Sequence, residues 1–173
     1  ERNQFTWNSA ISNFILRPQF TYFINSDNEL NFGGDVTYYT FGPATAIGVT
    51  NGKPVDVSLE KKYNLEAAIH IGNSQKINEV FSVEYGLRYS HFRYMGPGTA
   101  YYYGDTVAGV RRPVIGARKY NDGETIASYN NLEPRFSFKV QVNSESAVKG
   151  SYNRMVQYLH LISNTTASNP LDV

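Results

Sequence analysis

Leu132 to Leu161 reads LEPRFSFKVQVNSESAVKGSYNRMVQYLHL. From Leu132 to Val142 the apolar set is Leu132, Pro134, Phe136, Phe138, Val140 and Val142, with Glu133, Arg135, Ser137, Lys139 and Gln141 between them. Successive side chains on a strand point to opposite faces, so this alternation writes one apolar face and one polar face. Asn143-Ser144-Glu145-Ser146 then interrupts with turn-forming residues. Alternation resumes with Val148, Gly150, Tyr152, Val156 and Tyr158 against Lys149, Ser151, Asn153 and Gln157. The stretch is a β-hairpin. Its arms exceed the roughly 5–6 residues usual for strands of soluble proteins and suit the ~9–11 residues of a strand crossing a bilayer at a tilt.

The same grammar runs through the rest of the chain. A first strand spans Asn13 to Ile24, with Phe14, Leu16, Phe20, Tyr22 and Ile24 sharing a face. Pro18 within it cannot donate to a ladder and belongs at a bulge or an unpaired position. After the turn Asn25-Ser26-Asp27-Asn28, a second strand covers Leu30 to Phe41, and a Gly-, Thr- and Pro-rich loop follows from Gly42 to Asp56. A third strand, Leu59 to Gly72, alternates Tyr63, Leu65, Ala67, Ile69 and Ile71 with Lys62, Asn64, Glu66, Ala68 and His70. Asn73-Ser74-Gln75-Lys76 reads as its closing turn, and a fourth strand runs from Ile77 to Tyr94. A long segment, Gly96 to Ser128, separates it from the hairpin already described.

Each tight turn thus begins Asn-Ser, and short turns fall at one end with long loops at the other. Outer-membrane barrels show this asymmetry. The expected fold is all-β, an antiparallel up-and-down transmembrane β-barrel. Six strands in three hairpins cannot close one, since the smallest bacterial examples have eight, so the remaining strands are expected on the same polypeptide.

The composition agrees. A mean hydropathy of −0.42 excludes a helical membrane protein, and no run of about 18 apolar residues exists. A barrel is untouched by this, because only alternate strand residues need be apolar. The 14 Tyr and 10 Phe suit interfacial girdles. A net charge of +1 offers no nucleic-acid footprint. With no cysteine, disulfides and thiolate metal sites are out, and neither metal nor cofactor is expected. The opening residues ERNQFTWNSA carry no signal-peptide pattern.

Leu132-Glu133-Pro134-Arg135, Lys149-Gly150-Ser151-Tyr152-Asn153-Arg154, Gln157-Tyr158-Leu159-His160-Leu161, Ser163-Asn164-Thr165-Thr166-Ala167 and Pro170-Leu171-Asp172 resemble the barrel of TonB-dependent outer-membrane receptors of the Bacteroidetes type. The resemblance rests on the last forty or so residues. It implies a barrel of about 22 strands with a plugged lumen, energy coupling through TonB, and import of a large or scarce nutrient across the bacterial outer membrane. The implied partners are membrane lipid and lipopolysaccharide, a plug domain, TonB, and a surface lipoprotein or other outer-membrane subunits. This sequence contains neither the plug nor a TonB box.

Lys62, Glu66, His70, Glu84, Arg88, Glu133, Arg135, Lys139 and Lys149 fall on the polar faces. On the barrel reading they line the lumen, and on the plainer one they are the solvated face of a sheet. Arg154 breaks the pattern on the apolar face, so a bulge near Asn153 or a place close to the interface is expected. Tyr101, Tyr102, Tyr103, Arg111 and Arg112 form a candidate ligand patch, since aromatic faces stack on rings and Arg forks hold anions. An interfacial girdle is the competing explanation. Asp105-Thr106-Val107 resembles an O-glycosylation acceptor. His70, His91 and His160 make neither an H-E-x-x-H nor, with any Ser, a G-x-S-x-G context. A barrel hydrolase is therefore disfavoured and no catalytic residue is expected. A passive porin or a secretion-associated barrel is the remaining alternative to a receptor.

Overall fold

The computed structural model describes residues 5–50, 53–58, 60–106, 109 and 112–159. Every regular element among them is a strand: β1 Phe5–Leu16, β2 Gln19–Asn25, β3 Asn28–Thr50, β4 Lys53–Ser58, β5 Lys62–Lys76, β6 Phe81–Met95, β7 Gly98–Tyr103, β8 Val114–Tyr120, β9 Thr125–Gln141 and β10 Ala147–Asn153. All pairings are antiparallel. One sheet in the order β1-β3-β5-β6-β9-β10 curls into a half-barrel, with β2 in line with β1 and β4 in line with β5 along β3. β7 and β8 form a separate two-stranded ribbon. No helix among the described residues could cross a membrane, which says nothing of crossing by strands.

The register carries the two faces across the whole sheet. One transverse row joins Phe20, Phe32, Ile71, Leu87 and Pro134, and Phe20 stacks on Phe32 with ring centroids 5.5 Å apart. A row on the other face joins Asp35, Ala68, Ser90 and Asn131. The distribution of burial is the reverse of that in a water-soluble sheet. Ile69 is 66 % exposed while its neighbour Ala68 is 6 % exposed. Ser90 and Glu133 are buried, and Phe14, Phe20, Tyr22, Ile71, Leu87 and Phe136 are open. The sheet curls towards its polar side, so polar residues crowd together and the apolar ones splay outwards.

Several boundaries differ from the sequence expectations. The stretch from Gly42 onward is not a loop: β3 continues to Thr50 and turns back through β4, pairing Thr45 with Ser58 and Thr50 with Lys53. Asn73 and Ser74 are not a turn either. They lie inside β5, opposite Leu30 and Glu29 on one side and Tyr85 and Glu84 on the other. The turn sits at Ile77–Val80, where the Asn78 side chain accepts the N–H groups of Val80 and Phe81 at 2.9 and 2.8 Å. Asn25 and Asn143 act alike, accepting from Asp27 N and Glu145 N, each at 2.9 Å. An Asn side chain bonding the backbone two residues on is what fixes each reversal; the second such Asn is Asn78.

Pro18 needs no bulge. Leu16 pairs with Val36 and Gln19 with Gly33 without a change of register, and Gly34 N donates to Pro18 O at 3.1 Å. The reciprocal bond is missing because proline has no N–H. No bulge forms near Asn153 either. Asn153 pairs with Arg135 in unbroken register, and Arg154 N adds one more ladder bond to Pro134 O at 3.1 Å. The sixth strand ends there, short of Tyr158, leaving the exposed Arg154 side chain at the strand's end.

Candidate functional site

The centre of the polar face is built from β3, β5, β6 and β9, whose alternation delivers Asp35, Glu66, Arg88 and Glu133 to one side. Arg88 Nη2 donates to Asp35 Oδ2 at 3.0 Å and lies 3.9 Å from Glu66 Oε1. Arg88 Nε lies 4.0 Å from Glu133 Oε1 and makes no hydrogen bond. Three carboxylates share a single guanidinium. Removing charges from water is costly unless they are paired, so this cation is what makes the concentration of acids tolerable.

Beside this cluster runs a relay of hydrogen bonds. Asn131 Nδ2 donates to the Tyr158 hydroxyl at 3.0 Å. Tyr158 and Ser90 hydroxyls are 2.8 Å apart, and Ser90 Oγ donates to Glu133 Oε1 at 2.6 Å. Since the single Ser90 proton goes to Glu133, the Tyr158 hydroxyl donates to Ser90. Aligned in this way, each bond polarises the next. The Tyr158 ring also stacks on Phe92, with centroids 5.0 Å apart and planes 12° off parallel. Residues 155–159 therefore leave the sheet and return as a strap across its polar face.

Towards the tight turns the polar face opens into a hollow of about 340 Å³, whose lining includes Asn31, His70, Gly72, Gly86, Arg88 and Arg135. Gly72 and Gly86 are register partners and leave its floor bare of side chains. A Cβ on Gly86 would stand 2.9 Å from Ile71 O and 3.1 Å from Gly72 Cα, so this pair also permits a close approach of β5 to β6. The rim can exchange hydrogen bonds with a polar guest.

Of the polar residues singled out in the sequence, the structure brings Glu66, Arg88 and Glu133 into one cluster. His70 lies between Gly33 and Arg88, and Arg135 lies between Gly86 and Asn153. Glu84 accepts from Ser137 Oγ at 3.2 Å. Lys139 and Lys149 are register partners near the turns, and Lys62 is exposed at the opposite end of β5. Asp35, Ser90, Phe92, Asn131 and Tyr158 are additions. Alternation alone assigns the first four to this face; Tyr158 instead departs from the outward position that alternation gives it.

The tyrosine patch divides. Tyr101 pairs with Ala117 and Tyr102 with Gly116 on the β7–β8 ribbon, and neighbours on a strand face opposite ways. All three tyrosines are exposed, and Arg112 is exposed near the ribbon's tip. Arg118 lies over the Tyr120 ring at 4.6 Å and bonds Glu124 Oε1 at 2.9 Å. Asp105 and Thr106 are exposed. Arg111, Val107, His160 and the last part of the resemblance, 160–173, lie outside the described residues. His91 faces outwards and meets Asn130 Oδ1 at 2.7 Å.

Comparisons with protein-family models, with curated proteins and with solved structures give no match to this chain.

Proposed function

We propose that this chain is part of the barrel of a TonB-dependent receptor in the bacterial outer membrane, importing a nutrient ligand by binding it and displacing a plug. The observation that carries the reading is the inverted burial, with the apolar row open and the polar row enclosed. Monomeric soluble proteins rarely leave so extensive an apolar face in water, whereas a membrane barrel requires one. The dimensions agree. β5 and β6 each contain 15 residues, about 50 Å of strand. Tilted by ~40°, they cover roughly 38 Å of height, more than the ~25 Å apolar band of such barrels. Among the described residues nothing pairs with the outer sides of β1–β2 and β10, and these edges call for further strands, because open edges in lipid cost several kcal/mol per unpaired group. About 22 strands is the closed size that the sequence resemblance supports.

The enclosed face supplies the receptor's polar interior. The Arg88 cluster braces the wall from within, and the hollow over Gly72 and Gly86 offers donors and acceptors to a plug or ligand. No covalent chemistry is assigned to any residue.

Cysteine accessibility tests the membrane placement cleanly, since the chain has none of its own. In the native outer membrane, Ile69→Cys, Ile71→Cys and Leu87→Cys should resist a water-soluble maleimide, while Ser74→Cys and Lys139→Cys react. Uniform reactivity would refute the reading. Conductance in planar bilayers separates receptor from porin: a plugged receptor stays closed until its plug is displaced, and a porin conducts at once.

A further inference from the structure

Beyond Arg154 the chain has two seats within reach, and only one is taken. In the socket just described, Tyr158 stacks on Phe92 and joins the relay from Asn131 to Glu133. The other seat is the edge of β9. That strand pairs with β6 along nearly its whole length, yet β10 covers it only from Arg135 to Gln141. Among the described residues, no strand lies against residues 125–133 on that side.

The bond from Arg154 N to Pro134 O sets the phase of the vacant edge. In an antiparallel ladder alternate residues turn their N–H and C=O groups to the same neighbour. Leu132 and Asn130 therefore direct theirs at the empty side. Continuing the β9–β10 register would place Val156 opposite Leu132 and Tyr158 opposite Asn130. Val156 and Tyr158 would then project from the apolar face, as the alternation of the sequence writes them. The same five residues, 155–159, thus fit a strap by side-chain contacts and a strand by backbone contacts.

The geometry points to an exchange between these seats, with the Tyr158 hydroxyl as its latch and the surrounding solvent as its switch. In water the edge groups of Leu132 and Asn130 are hydrated, and the strap gains its ring stack and two hydrogen bonds at little cost. In hydrocarbon unpaired edge groups are far more costly than in water, and that cost exceeds the modest net return of the strap's two hydrogen bonds. Residues 155–159 then leave the socket, lengthen β10 and uncover Ser90, Glu133 and Phe92 to the interior. This rests on the membrane reading above, and it makes the polar socket available only once the strand is in place.

The full-length protein carrying Leu132→Cys and Val156→Cys tests the exchange. As register partners they would have Cα atoms ~5.5 Å apart, within disulfide range. The bridge should form after insertion into phospholipid vesicles and not in lipid-free refolding buffer. In the parent protein the amide hydrogens of Leu132 and Asn130 should become protected on the same insertion. Tyr158→Phe keeps the stack and loses the hydroxyl, so it should raise lipid-free bridge formation about tenfold. Equal bridging with and without lipid, unchanged by Tyr158→Phe, would overturn the exchange. So would absence of the bridge in vesicles where Ile69→Cys is shielded from a water-soluble reagent, leaving the membrane reading standing. A reactive Ile69→Cys in those vesicles would overturn both.

Discussion

Replacing Ile69 by arginine sets two physical descriptions of the same face against each other. Ile69 is 66 % exposed, flanked across the sheet by Gly34 and Tyr89 and along its own face by Ala67 and Ile71. Facing lipid at mid-depth, an arginine costs about 2–4 kcal/mol. At 1.4 kcal/mol per decade, that is roughly a 30- to 1,000-fold loss in the ratio of folded to unfolded protein. Facing water, the same substitution would touch nothing, and surface changes of that kind stay within about 0.5 kcal/mol. Ser74→Lys is the internal control. It lies on the opposite face of the same strand, opposite Glu29 and Glu84, where a cation gains partners. The assay is urea unfolding of the full-length protein inserted in vesicles, followed by circular dichroism. A midpoint for Ile69→Arg within error of the parent would refute the lipid-facing assignment, whatever Ser74→Lys does.

Arg88→Met should destabilise the same preparation by about 3–5 kcal/mol, because Asp35, Glu66 and Glu133 lose the guanidinium they surround. Arg118→Met, on an exposed pair, should leave the urea midpoint unmoved. Gly86→Ala should cost about 1–3 kcal/mol by forcing β5 and β6 apart, whereas Gly116→Ala, with its nearest contact at 3.6 Å, should be tolerated. The Glu124 carboxylate accepts from Asn121 N at 2.9 Å, and that backbone bond, helped by Arg118, holds it below the usual carboxylate range. Its contribution to the loop is therefore present above the ordinary carboxylate value and lost as pH falls through the lowered one. The protection factor of the Asn121 amide, its exchange rate relative to the intrinsic rate at each pH, should fall over that acidic window, and Glu124→Gln should make that factor independent of pH.

The alternation of Leu132–Val142 and of Tyr63–Ile71 was enough to assign both faces, because a period of two has no other use in so long a run. The turns were harder. Asn73-Ser74 carries the same letters as Asn25-Ser26, yet the chain reverses only at Asn78, flanked by Ile77 and Val80, where apolar neighbours mask the turn. Glycine, threonine and proline between Gly42 and Asp56 suggested a loop, but pairing along β3 outweighs weak local preference. Alternation brought Glu66, Arg88 and Glu133 to a common face without revealing that they share one cation. Tyr158 lay beyond local reading, since its partner Ser90 is 68 residues away and the contest between backbone and side-chain seats leaves no mark in the pattern.

The two rims of the sheet differ in height. One is closed by the short reversals at Asn25, Asn78 and Asn143, while at the other β3 runs on with β4 beyond the start of β5 and β6 leads into the β7–β8 ribbon. In a bilayer, turning such a molecule over would drag Arg118, Lys119 and Glu124 through oil, stripping hydration from each. On the membrane reading proposed above, inversion would be blocked kinetically. Whichever compartment received the tall rim at assembly would then keep it for the protein's lifetime.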